Sequence, residues 1–97
     1  MTPPPHSRVN CFVYLLRSLK DGNFYLGWTT NLERRLNEHN SGMTRSTKSR
    51  RPFELLYHET YSTKTEAKNR ERTLKRNPNM YKHFKKRALE AGNEVVG

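Results

Sequence analysis

Two tyrosines, an arginine and a histidine stand in the first half of this 97-residue chain, and a glutamate follows downstream. A tyrosine or a histidine can move a proton when its neighbours tune its pKa, and an arginine can clamp a phosphate through two hydrogen bonds. A carboxylate is the ligand type that magnesium and manganese prefer. Hydrolysis of a phosphodiester needs a proton carrier for water and a cation that offsets the charge on the phosphoryl oxygens. The candidate residues for this chemistry are Tyr14, Tyr25, Arg35, His39 and Glu71.

The arginine and the histidine fall on one side of a predicted helix. Leu32 and Leu36 define its core-facing stripe. At about 100° per residue, His39 lies about 20° from Leu32, and Arg35 lies about 60° to the same side. We therefore expect both side chains at the border of the buried face, looking towards a sheet. The alternatives are an arginine stem that covers the core edge and an ordinary border histidine.

A second predicted helix carries the glutamate. Ala67 and Leu74 mark its buried stripe, and Glu71 lies within about 40° of Ala67, whereas Glu66 lies well off that face. A carboxylate aimed at the core is costly unless it is paired or binds a metal. Glu71 is therefore either half of a buried ion pair, for example with an arginine, or the ligand of a single divalent cation. No second acidic residue on the helix faces argues for a two-metal site.

Three strands and three helices are predicted, in the order β-β-α-β-α-α. Asp21-Gly22 supplies the positive φ angles of a hairpin turn, so the first two strands are antiparallel. The third strand can pair through the helical connection, which gives an α+β domain with a three-stranded sheet covered by helices. The predicted strands are residues 11–16, 24–29 and 53–61, and the predicted helices are residues 31–40, 64–76 and 79–90.

Capping signals set the predicted helix ends. Capping boxes at residues 30–33 and 63–66 start the first two helices, while Gly42 and Gly92 close the first and the last. Gly27 is unusual because glycine weakens a strand. It indicates either a close approach by another backbone or a ligand, or a β-bulge.

The charge favours a polyanionic partner. The chain has 19 Lys and Arg against 9 Asp and Glu, a net charge of +10, which favours nucleic acid over an anionic membrane or an acidic protein. Cys11 is the only cysteine, so an intramolecular disulfide and a cysteine zinc site are excluded, and a reducing cytoplasm is expected. No apolar run approaches the roughly 20 residues that span a bilayer. We expect a disordered lead-in at residues 1–10, a domain at residues 11–91 and a frayed tail at residues 92–97.

Two basic segments are candidates for phosphate contacts. The first is a loop rich in hydroxyls and free of acids, for which ordinary disorder is the alternative. The second is the last helix. The candidate nucleic-acid-binding residues are Arg45, Lys48, Arg50 and Arg51 in the loop, and Lys82, Lys85 and Lys86 in the helix.

The triplets Val13-Tyr14-Leu15 and Tyr25-Leu26-Gly27, followed by Arg35 and His39, resemble the GIY-YIG nuclease domain. The chain resembles the small stand-alone bacterial branch of that superfamily, which is related to the nuclease domain of the excision-repair endonuclease. The likeness covers roughly residues 11–86. The first triplet departs from the motif around its tyrosine. A late asparagine of larger members has no secure match here, with Asn77 and Asn79 as candidates. We expect no separate DNA-recognition domain.

The resemblance implies a central three-stranded antiparallel sheet flanked by helices. It implies that Tyr14 is the proton acceptor for the attacking water and Tyr25 the second motif tyrosine, with Gly27 keeping the site open. Arg35 would bind phosphate and His39 would be the supporting proton carrier. Glu71 would hold a single Mg²⁺ or Mn²⁺ ion. The helix geometry independently favours the same arginine and the same glutamate.

The leading hypothesis is a divalent-metal-dependent endonuclease that hydrolyses DNA phosphodiester bonds, in repair or on structured DNA. RNA is an alternative substrate. The second hypothesis is a basic nucleic-acid-binding module with weak or no catalysis, and a third is a membrane-surface or ribosome-associated basic protein. We expect a cytoplasmic protein without membrane attachment, working as a monomer or a weak dimer.

Overall fold

The sheet has three strands, in the order that the sequence predicts. A computed structural model describes residues 10–96, with the side chains of residues 10–91. β1 (Cys11–Ser18) lies between β2 (Phe24–Thr29) and β3 (Phe53–Tyr61), and both neighbours run antiparallel to it. The prediction of an α+β fold with a three-stranded antiparallel sheet is confirmed, and β2 and β3 have the predicted bounds.

The central strand, β1, is buried on both faces because its apolar residues form a continuous run. Val13 and Leu15 pack into the core on one face, whereas Tyr14 and Leu16 pack on the other. β1 extends to Ser18, two residues beyond the predicted end, because its last two residues still pair with β3. The pleat therefore directs Tyr14 to the opposite face from its two neighbours in the chain.

Helices cover both faces of the sheet. α1 (Leu32–Asn40) packs its two leucines against the Tyr14 face, while α2 (Lys64–Arg76) and α3 (Pro78–Val96) cover the other face. None of the helical residues that the structure describes form a segment long and apolar enough to cross a bilayer. The core beneath α2 and α3 consists of Cys11, Val13, Leu15, Leu26, Ala67, Leu74, Phe84 and Ala88.

The first predicted capping box is wrong, and the second is confirmed. Asn31, rather than Thr30, caps α1, because the Asn31 side chain accepts a hydrogen bond from the Arg34 backbone N–H at 3.0 Å. Asn31 also has the extended backbone that an N-cap requires. At α2, the side chains of Thr63 and Glu66 bond each other's backbone N–H groups as predicted.

Two glycines were predicted to end helices, and only one does so. α1 ends before Gly42, which adopts a φ of +84°. α3 instead continues through Gly92 to Val96, so its predicted end is wrong. A glycine inside a helix costs only about 1 kcal/mol, and no proline follows Gly92 to stop the helix. α3 also begins one residue earlier than predicted, at Pro78, because proline fits the first helical position.

The expected terminal segments fall mostly outside the described residues. Of the predicted lead-in, residues 1–10, the structure describes only Asn10. The side chains of the predicted tail, residues 92–97, are also outside the described part. The bounds of lead-in, domain and tail therefore stay predictions.

Candidate active site

Tyr14 lies at the centre of the sheet, and a glycine makes room for it. Gly27 of β2 is its register partner across the strand pair. A Cβ at Gly27 would lie 2.5 Å from the Tyr14 hydroxyl oxygen and 2.6 Å from Cζ. The glycine was expected to mark a close approach by a backbone or a ligand, or a bulge. The group that approaches is the Tyr14 ring, and the one bulge among the described strands falls at Leu15/Leu16 of the β1–β3 pair.

His39 faces the Tyr14 hydroxyl from α1. Its Nε2 atom lies 3.0 Å from that oxygen, and its ring centroid lies 4.9 Å from that of Tyr25. The side chain is 0% exposed, whereas Leu32 and Leu36 are only partly buried. The expectation of a border position for His39 is therefore wrong. Hydrogen bonds to both ring nitrogens allow the imidazole to lie deeper than the leucines.

Thr47 supplies the second of these hydrogen bonds, and the sequence did not identify it. Its Oγ1 atom lies 2.8 Å from His39 Nδ1, and the residue is 0% exposed although it belongs to the basic loop. Oγ1 also donates to the Thr44 carbonyl oxygen at 3.4 Å. The hydroxyl richness of the loop was a signal, but it did not distinguish Thr47 from its neighbours.

Arg35 reaches the same phenol oxygen from the solvent side. Its Nε–H donates to the Tyr14 hydroxyl at 3.4 Å, and its Nη1–H donates to Glu38 Oε1 at 3.0 Å. The Arg35 side chain is 32% exposed, against 61% for Arg34. The sequence thus favoured the arginine that meets the tyrosine. Its guanidinium is half-buried and remains open to a ligand at the surface.

Burial and charge tune the two proton-carrying groups in opposite directions. Burial raises the pKa of Tyr14 to about 12, although the hydrogen bond and charge of Arg35 oppose the shift. Burial, reinforced by the Arg35 charge, lowers the pKa of His39 to about 4. At neutral pH the cluster therefore holds a protonated phenol and a neutral imidazole.

Glu71 lies on α2, the helix that packs against β1 and β2. Its side chain is 20% exposed, and Oε2 lies 3.4 Å from Nζ of the exposed Lys75. Its negative charge contributes to the raised pKa of Tyr14, so the two groups interact electrostatically. Ala67 and Leu74 are fully buried as predicted, and Glu66 is used in the capping box. The alternative of a buried ion pair between Glu71 and an arginine is therefore wrong, because the observed partner of Glu71 is the exposed Lys75.

The donor chemistry at Glu71 suits a hard divalent cation. Magnesium usually keeps several waters and binds through one or two carboxylates plus substrate phosphates. Within residues 10–91, no three His, Cys, Asp or Glu side chains lie close enough together to form an all-protein metal site. A cation here would therefore use the Glu71 carboxylate, with water and phosphate oxygens completing its shell. Glu71 fits that role, and an all-protein cage does not.

The basic loop is ordered, and its cations divide into two kinds. Arg50 pairs with Asp21 at 3.0 Å, and Arg51 donates to the Lys48 carbonyl oxygen at 2.8 Å. These two residues tie the loop to the β1–β2 turn and to a single 3-10 turn, Lys48–Arg50. The side chains of Arg45 and Lys48 are exposed.

The three candidate lysines of α3 also fall into two groups. Lys82 and Lys86 are exposed one turn apart, whereas Lys85 Nζ lies 4.5 Å from the centroid of the Tyr81 ring. Asn77, a candidate for the late asparagine, accepts a hydrogen bond from the Met80 N–H and so caps α3. The two exposed lysines are therefore open to a phosphate backbone.

The structure thus gathers Tyr14, Tyr25, Arg35 and His39 around one phenol oxygen, with Glu71 near enough to act on its pKa. Residues 10–88 match the family model described as the GIY-YIG catalytic domain. The match includes all five of these residues and Gly27.

Several curated proteins are similar to this chain. The UPF0213 protein DP2720 of Desulfotalea psychrophila is 41% identical over 95 residues, which cover 96% of this chain and 86% of the relative. A UPF0213 protein of Bacillus pumilus is 45% identical over 67 residues, covering 68% of this chain and 67% of the relative. The solution NMR structure of the UPF0213 protein BH0048 from Bacillus halodurans is 36% identical, with a TM-score of 0.47, and covers 76% of this chain and 79% of that one.

Proposed function

Because the chain belongs to the GIY-YIG family, we propose that it is a divalent-metal-dependent endonuclease that hydrolyses DNA phosphodiester bonds. One observation carries the proposal. Two side chains of α1 converge on the hydroxyl of Tyr14 in β1, with His39 Nε2 at 3.0 Å and Arg35 Nε at 3.4 Å. A proton carrier and a phosphate-binding cation thus meet at one oxygen. That combination is what attack of water on a phosphodiester requires.

Each residue has a role in the proposed reaction. Arg35 binds a phosphoryl oxygen, for which its partly exposed guanidinium is suited. Tyr14 takes the proton of the attacking water, and His39 supports it as a proton carrier. Tyr25 packs its ring against His39 and closes the site on the β2 side. A divalent cation held by Glu71 would offset the charge that develops on the phosphoryl oxygens.

The raised pKa of Tyr14 is the feature that favours the alternative function. A base works best when its pKa lies near the operating pH, yet the Tyr14 residue is 2% exposed and its pKa is about 12. A nucleic-acid-binding module with weak or no catalysis would tolerate such a tyrosine. The nuclease proposal requires that Tyr14 exchange protons with its neighbours without first becoming a stable phenolate.

Nicking of DNA tests the proposal against this alternative. Supercoiled and branched DNA are incubated with the protein and Mg²⁺ or Mn²⁺, and the rate of strand cleavage is compared among variants. We expect Arg35→Ala and Glu71→Ala to lose cleavage on the order of 10²-fold or more, as removal of an electrostatic catalytic group does. The matched controls are Arg34→Ala, one residue away and 61% exposed, and Glu90→Gln on the exposed side of α3.

Either of two results would refute it. The first is absence of cleavage by wild type with every metal and substrate, which would favour the binding module. The second is cleavage by Glu71→Ala at the wild-type rate, which would remove the metal assignment.

The setting of the activity is a further part of the proposal. We place it in the cytoplasm, supported by a chain that has only one cysteine. Repair or structured DNA is the proposed substrate context, and a monomer or weak dimer the proposed state. Comparing the cleavage of branched and linear DNA by the purified protein checks the substrate context, and light scattering checks the oligomeric state.

A further inference from the structure

Thr47 is a fully buried hydroxyl in a loop whose other polar side chains mostly face solvent. The loop leads from α1 to β3, and Thr47 is its residue that hydrogen-bonds the imidazole of His39. The Oγ1 atom lies 2.8 Å from Nδ1. Nδ1 is the ring nitrogen that faces away from Tyr14. A short, buried hydrogen bond to that nitrogen determines which of the two ring nitrogens carries the proton.

The direction of each hydrogen bond in this chain follows from counting protons. The Arg35 guanidinium can only donate, so the Tyr14 oxygen is its acceptor. Among the described residues, His39 Nε2 is then the one neighbour able to accept the Tyr14 proton. If Nε2 carried a proton instead, the buried phenol would accept twice and its own O–H would be left without an acceptor, which costs free energy.

The remaining protons then have one arrangement. A neutral imidazole has a single N–H, and with Nε2 accepting, this N–H is on Nδ1. Nδ1–H therefore donates to Thr47 Oγ1, and the Thr47 O–H donates to the Thr44 carbonyl oxygen at 3.4 Å. In this arrangement the Thr47 O–H has the Thr44 carbonyl oxygen as its acceptor, and every donor of the chain is paired.

We propose that Thr47 is a positioning residue, whose hydroxyl holds His39 as the Nδ1–H tautomer and so presents Nε2 to Tyr14 as an acceptor. Valine has nearly the same shape but offers no acceptor to Nδ1–H, so it removes this preference. Serine keeps the hydroxyl. The tautomer itself does not depend on any activity of the protein.

The tautomer has a consequence for the reaction, and this part rests on the proposed nuclease function. With its own proton directed to Nε2, the Tyr14 oxygen keeps its lone pairs for Arg35 and for a water molecule. The water O–H bond breaks as a new Tyr14 O–H bond forms, and the original Tyr14 proton passes to Nε2. Tyr14 stays neutral throughout, and His39 gains the proton with both N–H groups facing acceptors. A phenol whose pKa is raised can relay a proton in this way.

NMR of the imidazole nitrogens tests the tautomer directly, without metal or DNA. Long-range ¹H–¹⁵N spectra of the labelled full chain at pH 7 distinguish protonated from unprotonated ring nitrogens. His39 is assigned among the four histidines by its loss in His39→Gln. The compared proteins are wild type, Thr47→Val, Thr47→Ser and the neighbouring control Ser46→Ala, whose hydroxyl is exposed.

We expect the Nδ1–H form in wild type, in Thr47→Ser and in Ser46→Ala, and a shift towards the Nε2–H form in Thr47→Val. An Nε2–H signal in wild type would overturn the proposal even if Thr47→Val does not fold. An unchanged Nδ1–H signal in a folded Thr47→Val would overturn it as well.

A cleavage assay on the same variants separates this inference from the function beneath it. We expect Thr47→Val to lose about 10²-fold in nicking rate, the size of a general acid–base contribution, and Thr47→Ser to recover most of it. Equal rates in wild type and Thr47→Val would overturn the catalytic part. A wild type that does not nick DNA would refute the proposed function and leave the tautomer result standing.

Discussion

Gly27 and Tyr14 face each other across β1 and β2, and the space of the missing side chain is filled by the phenol ring. A Cβ at Gly27 would come within 2.5 Å of the Tyr14 hydroxyl oxygen. The glycine therefore sets the position of the oxygen on which His39 and Arg35 converge. Glycine is needed at position 27 for lack of space and not for its backbone freedom, because the φ of Gly27 is not in the left-handed region.

Gly27→Ala is predicted to lower both stability and cleavage. The added methyl group overpacks a buried contact, which costs about 1–3 kcal/mol in free energy of unfolding. Urea denaturation measures this cost, and nicking measures the displacement of Tyr14. The control is Gly22→Ala, where the added Cβ meets no atom within 4 Å but φ is +74°. It should lose stability by about 1 kcal/mol through backbone strain and keep its nicking rate.

Repeating the Gly27→Ala substitution in a Tyr14→Ala protein shows whether the tyrosine ring causes the loss of stability. In Tyr14→Ala the ring is absent, so Gly27→Ala should cost much less there. Equal costs in the two backgrounds would show that the strand backbone, and not the tyrosine, requires the glycine.

The buried imidazole predicts a pH dependence of stability. The pKa of His39 falls from 6.5 to about 4 on folding, because of burial and then the charge of Arg35. Between these values the unfolded chain binds more protons than the folded protein, so stability falls as the pH drops from about 6.5 to 4. The full shift corresponds to a loss on the order of 3 kcal/mol. Above pH 6.5 the contribution is fully present.

Urea titrations at a series of pH values measure this effect. Subtracting the profile of His39→Gln from that of wild type removes the contribution of the carboxylates. His58→Gln is the control, since that ring is exposed on β3, and it should keep the wild-type slope. A wild-type profile that matches His39→Gln between pH 4 and 6.5 would contradict the burial of a neutral His39.

Salt dependence should identify the lysines that contact DNA phosphates. Affinity falls with salt in proportion to the number of counterions released, and each lost phosphate contact lowers the slope of log K against log salt by about 1. We therefore predict a smaller slope for Lys82→Gln and for Lys86→Gln, both exposed on α3. Arg50→Gln should instead lower stability, because Arg50 pairs with Asp21. An unchanged slope in the double lysine variant would remove α3 from the interface.

Much of the framework was predictable because its signals are local. The second capping box and the Asn77-Pro78 break set the ends of α2 at the observed residues. Turn residues and apolar runs predicted the bounds of β2 and β3. Helical periodicity also selected Arg35 over Arg34 and Glu71 over Glu66, since each pair differs in which face of its helix it occupies.

The interior of the site was less predictable because it depends on contacts distant in sequence. A helix wheel ranks leucines as the deepest residues, but His39 lies deeper, because Tyr14 and Thr47 bond both of its nitrogens. Thr47 has the same local pattern as the other hydroxyls of its loop. Only the fold brings its side chain beneath α1, so the sequence alone could not select it.

The central claim is that the Tyr14 hydroxyl takes part in cutting a phosphodiester, and single-turnover cleavage by Tyr14→Phe tests it most directly. The substitution keeps the ring that fills the space over Gly27 and removes only the oxygen. With Mn²⁺ and excess protein, wild type should cut branched DNA, and Tyr14→Phe should cut at least about 10²-fold more slowly while binding the DNA with unchanged affinity. Cleavage by Tyr14→Phe at the wild-type rate would contradict the account.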